Sequence, residues 1–294
     1  MPKSKKYLIA CSGGPDSMAL LDQYHKDIVA ICHVNYHARK SANHDQHIVE
    51  SYAKKHKIPV LIHEVNPSRY KKKKFNFESW AREVRYNFFN ECAHKLKVYD
   101  ILMAHHLDDW LETAIMQLKR HSQTMYYGIK QHNKYKDINI YRPFINTRKK
   151  ELVDYCKKHK IKYGLDETNQ DPKYERNKIR IALSTLNSKD INLFINDFKE
   201  VNREIAIIEK YAFQAYSEWK KQKFYIPFLT KQNPKIQYEL IYQLINEYAP
   251  KRNSANKIEG LLKFIKSNKG NILYRLNNNT RVYKKNKYLK IITK

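Results

Sequence analysis

Acidic residues are scarce in this chain: 29 Asp and Glu stand against 57 Lys and Arg over 294 residues, a formal charge of +28. So large a surplus weakens a compact fold by self-repulsion unless a polyanion shares it. Nucleic acid is the first candidate partner and an anionic membrane surface the second. No run of about eighteen apolar residues exists, which excludes a helix spanning a bilayer. The start, Met1-Pro2-Lys3-Ser4-Lys5-Lys6, leads straight into a strand-like run, so no signal peptide is expected. Cys11, Cys32, Cys92 and Cys156 are widely spaced, with no Cys-x-x-Cys. That argues against a disulfide framework or a structural zinc. The cysteines read as small buried hydrophobes in a reducing cytosol, and a cytoplasmic location is expected. The zinc pattern His-Glu-x-x-His is missing, and so is the Walker pattern Gly-x-x-x-x-Gly-Lys-Ser/Thr.

What is present begins at Ser12, Gly13, Gly14, Pro15, Asp16 and Ser17, between the apolar run 7–11 and Met18-Ala19-Leu20-Leu21. This reads as strand, tight turn, helix. Adjacent glycines let the backbone turn and bring its N–H groups close to an anion. The helix N-terminus adds a favourable dipole, and two serines flank the turn with hydroxyls. The result is a phosphate cradle without a lysine. The hexapeptide resembles the PP-loop of ATP pyrophosphatases, enzymes that split ATP between its α and β phosphates.

The first half alternates strand and helix. Strands are expected at 7–11, 28–34, 60–65, 101–105 and 138–141, with helices at 17–25, 45–56, 77–97 and 108–119. Near-continuous apolar strands between helices argue an α/β fold with a doubly wound parallel sheet. Ligands of such sheets bind at the carboxyl ends of the strands, where the glycine turn and His105-His106 both fall. A basic run, Arg69-Tyr70-Lys71-Lys72-Lys73-Lys74, precedes the third helix and reads as a solvated loop or an RNA-backbone contact. From Ile191 to Trp219 apolar residues recur at three- and four-residue spacing, one long amphipathic helix. Two shorter helices are expected at 234–248 and 254–267, then strands over 271–292 that turn near Asn277-Asn278-Asn279 and Lys285-Asn286. The organisation expected is a catalytic domain over 1–187, a linker helix over 188–222 and a smaller α+β domain over 223–294. The last segment carries cations and no acid after Tyr274, with Tyr283 and Tyr288 interleaved. Those tyrosines either stack on RNA or form the buried face of a small sheet.

A second constellation, His105-His106-Leu107-Asp108-Asp109-Trp110-Leu111-Glu112-Thr113, follows a strand and opens a helix. His105, Asp109 and Glu112 stand at i, i+4 and i+7, one helical face. Carboxylates beside a phosphate cradle can hold Mg²⁺ through oxygen, or attract an ammonium group and take its proton. Asp108 as an N-cap would account for one acid only.

Together, residues 12–17 and His105-His106-x-Asp108-Asp109-x-x-Glu112-Thr113 look like the tRNA(Ile)-lysidine synthetase family. Further matches follow in order: His33-Val34-Asn35-x-His37-x-Arg39 with Ser41 and Asp45; Glu78-x-x-Ala81-Arg82-x-x-Arg85-Tyr86; Arg142-Pro143-Phe144 and Arg148. The series closes with Asp166-Glu167-Thr168-Asn169-x-Asp171, Tyr174 and Arg176-Asn177-x-x-Arg180. The family's usual Asn-His-Gly is Asn35-Tyr36-His37 here. The C-terminal third resembles that of the family's compact form.

The resemblance implies ligation of free L-lysine to C2 of the wobble cytidine of an isoleucine tRNA with a CAU anticodon. ATP adenylates the C2 oxygen, and lysine then expels AMP. The resemblance assigns residues 12–17 to the ATP phosphates, with His33 and Asn35 beside the nucleotide and Asp16 as a Mg²⁺ partner. Asp109 and Glu112 are assigned to the lysine amine, with His105 supporting them. Arg82 and either Arg176 or Arg180 are assigned to phosphate or to the lysine carboxylate. A homodimer is among the expected assemblies. Two other readings are a PP-loop tRNA thiolase, whose cluster-binding Cys-x-x-Cys is absent, and a non-catalytic ATP-responsive RNA-binding protein, which would have lost Asp16, Asp109 or Glu112.

Overall fold

The structure, a computed structural model, describes residues 6–38, 41–68, 77–120, 124, 126–165, 175–250, 255–267 and 272–293. Arg39, the basic run at 69–74 and the motif residues from Asp166 to Tyr174 lie outside the described residues. The chain divides into two units, Met1–Gln117 with Gly128–Ile191, and Leu118–Tyr127 with Asn192–Lys294.

The first unit runs β1 (Tyr7–Ala10), α1 (Pro15–Tyr24), β2 (Ile28–Asn35), α2 (Ala42–His56), β3 (Val60–Glu64), α3 (Phe77–Leu96), β4 (Asp100–Met103) and α4 (Leu107–Lys119). It continues with β5 (His132–Tyr135), β6 (Ile138–Tyr141), α5 (Lys149–Lys158) and α6 (Glu175–Ser184). The strands form one sheet in the order β3-β2-β1-β4-β6-β5, all parallel except β5. Both sheet faces are covered, which is why the strands read as apolar runs. Ile9, Cys11, Ile31 and Leu102 pack on one side with Met18, Leu21, Val49 and Leu152 from α1, α2 and α5. Leu8, Ala30, Cys32, Ile101 and Ile140 pack on the other with Tyr86, Phe89 and Cys92 from α3. The chain leaves β1 outward to β2 and β3 and returns to β4 on β1's other side. That reversal opens a crevice at the carboxyl ends of β1 and β4.

The second unit holds most of α7 (Ser188–Lys221), then α8 (Ile226–Thr230), α9 (Pro234–Tyr248), α10 (Ala255–Lys266), β7 (Tyr274–Arg275), β8 (Thr280–Lys285) and β9 (Tyr288–Thr293). Its core gathers Trp219, Leu240, Ile241, Leu244, Leu261, Val282 and Leu289. Trp219 is satisfied inside it, its indole N–H donating to the Tyr225 carbonyl at 2.8 Å. Asn233 caps α9 by accepting from the Ile236 N–H. The β8–β9 hairpin turns through Asn286 and Lys287, both left-handed (φ 50° and 63°), as a two-residue turn matched to the strand twist requires.

Most expected elements are present with ends shifted by a residue or two. Strand β5 and helices α5, α6 and α8 have no counterpart in the sequence reading. β5 is the polar stretch His-Asn-Lys-Tyr on a sheet edge, so no apolar run announces it. Of the tail tyrosines, Tyr274 lies on the inner side of its sheet, its ring 5.3 Å from that of Phe264. The strand register places Arg281, Tyr283, Lys285, Tyr288 and Lys290 on the opposite face, while Val282 and Leu289 fill the core.

Candidate active site

The turn between β1 and α1 is fixed by its neighbours. Gly13 takes φ 89°, and a Cβ there would stand 2.8 Å from the Asp45 carbonyl oxygen, so conformation and space both require glycine. The Gly13 carbonyl accepts from the Gly164 N–H at 2.9 Å. Pro15 sits in the first turn of α1, where a missing N–H costs nothing. Ser17 is turned inward: its hydroxyl donates to the Gly14 carbonyl at 2.9 Å and accepts from the Ser12 N–H at 3.2 Å. It braces the cradle, whereas Ser12 is exposed on it. Asp16 lies in the first turn of α1, its buried Oδ1 without a hydrogen-bond partner among the described residues.

His106 connects this turn to α4. Its Nδ1 accepts from the Asp109 N–H at 3.3 Å, which leaves the proton of the neutral ring on Nε2. Nε2 lies 3.6 Å from Asp16 Oδ2 and 3.3 Å from Asp109 Oδ2. Burial alone would lower the pKa of this imidazole, but Asp16, Asp109 and Asp108 outweigh it and hold the value above the ordinary one. His105 behaves oppositely. Burial lowers its pKa to about 3, with Asp109 opposing and Arg142 and Arg82 assisting. It is therefore neutral, and its Nδ1 accepts from Arg142 Nε at 3.2 Å.

The acids of α4 are already met by cations. Arg176 donates from Nη2 to Asp109 Oδ1 at 2.5 Å and from Nε to Glu112 Oε2 at 2.6 Å. Arg180 donates from Nε to Glu112 Oε1 at 2.8 Å and from Nη2 to Oε2 at 3.1 Å. Glu112 is 1% exposed, and without such forks its charge could not be buried. The Asp109 pKa is lowered: burial works against this, and His106 and Arg176 overcome it. Asp108 does not cap its own helix. It accepts from the Lys149 N–H at 2.7 Å and pairs with Arg148, anchoring the start of α5.

The structure thus brings Asp16, Asp109, Glu112, Arg176 and Arg180 together through His106. His105 precedes α4 rather than lying on it. His33 and Asn35 end β2. His33 Nδ1 is bound to the Cys11 carbonyl at 2.9 Å, and its buried Nε2 has no hydrogen-bond partner among the described residues. Asn35 is spent on the start of α2 and on its own loop, donating to Asn43 and Gln46 and accepting from the His37 N–H. Arg82 is exposed on α3, its guanidinium 4.4 Å over the Tyr86 ring. Two residues with defined places here were not singled out as site residues. His106 was visible as the second of two adjacent histidines, and Arg142 as part of Arg-Pro-Phe. Arg142 is buried and donates to the Lys130 carbonyl and Asn133 Oδ1.

Among the described residues no group of three or more His, Cys, Asp or Glu side chains could hold a metal ion alone. A Mg²⁺ carried by a nucleotide needs only one or two carboxylates besides phosphate and water. The unpartnered buried oxygen of Asp16, at the cradle, fits that requirement.

Residues 2–186 match the PP-loop domain family. The chain is 33% identical to a tRNA(Ile)-lysidine synthase of Mycoplasma genitalium, with all of both chains covered. It is 36% identical to one of Malacoplasma penetrans over 96% of this chain and 97% of that protein. It is 39% identical to one of Ureaplasma parvum over 89% and 79%. Among solved structures, the U34-tRNA thiolase NcsA of Methanococcus maripaludis, described with its [4Fe-4S] cluster, is similar in fold, with a TM-score of 0.55 and 16% identity. That match covers 68% of this chain and 73% of the thiolase. A cradle that binds phosphate without lysine, an acid cluster joined to it by one histidine, and full-length relatives of one activity lead to one assignment. The chain belongs to the tRNA(Ile)-lysidine synthase family of PP-loop proteins.

Proposed function

We propose that this chain joins lysine to C2 of the wobble cytidine of a CAU-anticodon isoleucine tRNA in two steps, at the crevice between β1 and β4. The observation that carries the reading is the bridge Asp16–His106–Asp109, which joins the glycine turn to the acids of α4. First, the cytidine C2 oxygen attacks the α-phosphorus of ATP, and the bond to the departing pyrophosphate breaks. The N–H groups of the turn and the α1 dipole stabilise charge on the leaving phosphates. Asp16 would hold Mg²⁺, which when bound supplies further neutralisation of that charge. Second, the lysine ε-nitrogen attacks C2, the C2–O bond breaks and AMP leaves.

An ammonium ion is no nucleophile, so the amine must lose a proton first. Asp109, next to the neutral His105, is placed to accept it. For the ammonium group to reach Asp109 and Glu112, it takes over positions now filled by Nη2 and Nε of Arg176. The released guanidinium then meets phosphate or the lysine carboxylate. Arg180 stays paired with Glu112 meanwhile. Arg82 is a second exposed cation for the same anions. The outer face of the β7–β9 sheet, with Arg281, Lys285 and Lys290 beside two tyrosines, suits RNA backbone contact. Four free, buried cysteines are consistent with a reducing cytosol. No helix among the described residues is long and apolar enough to cross a membrane.

The test is incubation with ATP, radiolabelled lysine and transcribed CAU-anticodon isoleucine tRNA. Label in the tRNA with equimolar AMP release is expected; ATP consumption without label transfer would defeat the reading.

A further inference from the structure

Part of the positive charge of the first unit is arranged in a line. Five neighbouring strands, β3-β2-β1-β4-β6, run parallel, so the connections that lead into them all lie at one end of the sheet. Each connection carries an exposed lysine one to three residues before its strand. They are Lys57 before β3, Lys26 before β2, Lys6 before β1, Lys97 before β4 and Lys136 before β6. Neighbouring strands are about 4.8 Å apart, so the five form a row about 19 Å long across the amino end of the sheet. The same connections hold two exposed acids, Asp27 and Asp137, and Asp137 is already met by His94 Nε2 at 3.0 Å.

Three of the five hold a conformation that favours glycine. Lys57, Lys97 and Lys136 have φ of 55°, 55° and 50°. At the first two the helix closes in the same way, the Ile58 N–H donating to the Ala53 carbonyl at 3.0 Å and the Val98 N–H to the Ala93 carbonyl at 3.1 Å. Such helix ends commonly place glycine there, because a side chain is disfavoured at positive φ. A lysine instead adds charge against a backbone preference, at three points of one line. Lys136 has a neutral partner, donating to Asn87 Oδ1 at 2.8 Å. Ammonium groups at regular spacing suit a line of phosphates rather than one small anion. An anionic bilayer would attract them too, but binding to its surface also draws on buried apolar area. Among the described residues of these connections, Tyr99 is the one large apolar side chain exposed. The crevice opens at the opposite, carboxyl end of the strands. An RNA whose loop enters it leads away from the row.

We propose that this lysine row is a second RNA-binding face, which holds the backbone of an RNA other than the one being modified. It goes beyond the proposed reaction and uses neither ATP nor free lysine. The test follows binding of a blunt-ended RNA duplex without a loop to the full chain, by fluorescence anisotropy over a range of salt. Lys57→Gly, Lys97→Gly and Lys136→Gly combined remove three charges and give each position the residue its φ favours, so the urea midpoint should stay or rise. Duplex binding at low salt should weaken about tenfold or more, and the log–log salt slope should become shallower by about two to three. Lys26→Ala, in a connection with no positive φ, should make the slope shallower by about one. KM for tRNA in lysidine formation should match wild type in both. Unchanged slopes in both variants would overturn the proposal. A raised KM for tRNA in the glycine variant would give the row to the substrate and overturn it as well. So would phosphatidylglycerol vesicles that bind the wild-type chain as tightly as the duplex does and lose that binding in the glycine variant. Absence of lysidine from the wild-type chain would instead defeat the proposed reaction, and the duplex slopes would still decide the row.

Discussion

The two ends of the candidate site meet their charges in opposite ways. At the cradle, Asp16 keeps a buried oxygen without a partner among the described residues, and Ser12 faces outward. At the acid cluster, both oxygens of Glu112 and one of Asp109 are held by guanidinium groups. An unpartnered buried carboxylate oxygen costs free energy that a ligand repays on binding. A clamped carboxylate gives nothing until a partner leaves. On the proposed reading, the first end is ready for nucleotide, whereas the second would accept an amine only by exchange. This difference gives a physical reason for the order of the reaction, with ATP chemistry before lysine.

The largest effect should come from the open end. Asp16→Asn should lower pyrophosphate release by about a hundredfold or more, the scale of losing one preorganised charge contact in a transition state. Its tRNA binding, measured by filter retention, should stay close to wild type. Normal ATP consumption by that variant would remove Asp16 from the first step.

Arg176→Ala tests the closed end. It strips Asp109 and half of Glu112 of their cation, and about 2 kcal/mol of unfolding stability should be lost, since Arg180 remains. If Arg176 yields its place to the amine, saturating lysine should restore part of that stability to the variant and less to wild type. Equal stabilisation of both by lysine would mean that the clamp does not open.

The bridge between the ends makes the comparison pH-dependent. The folded-state pKa of His106 lies above its ordinary value of 6.5. Its contribution to stability is then complete below that value and lost as pH rises through the raised one. The stability gap between wild type and His106→Asn, measured by urea unfolding, should therefore narrow as pH rises. A gap that widens with pH would show that His106 is held neutral.

The smallest effect belongs to the second unit. Replacing Arg281, Lys285 and Lys290 with alanine should leave folding intact, because Val282 and Leu289 fill that core. The log–log salt slope of tRNA binding should become shallower by about 0.7 to 0.9 for each lost phosphate contact. An unchanged slope would take this face out of RNA binding.

The sequence exposed the open end better than the closed one. Strand, Gly-Gly and helix start are contiguous, so the cradle could be placed from local chemistry alone. The acid cluster depends on pairs such as Glu112 with Arg176 and Arg180, more than sixty residues apart, and spacing along α4 carries no trace of them. Two adjacent histidines were legible, but their opposite pKa shifts arise from burial, assisted by Arg142, on one side and from three aspartates on the other. The tail's cations were legible too. Which tyrosines face outward became clear only from the strand register.

The most direct test follows α-labelled ATP into tRNA in Glu112→Gln and Asp109→Asn, with lysine first absent and then saturating. If these acids serve the amine, adenylated tRNA forms in both variants at close to the wild-type rate and persists when lysine is added, while wild type converts it to lysidine and AMP. If adenylation and lysine transfer fall together, the acids belong to the phosphate end, and the division of the site into two steps is wrong.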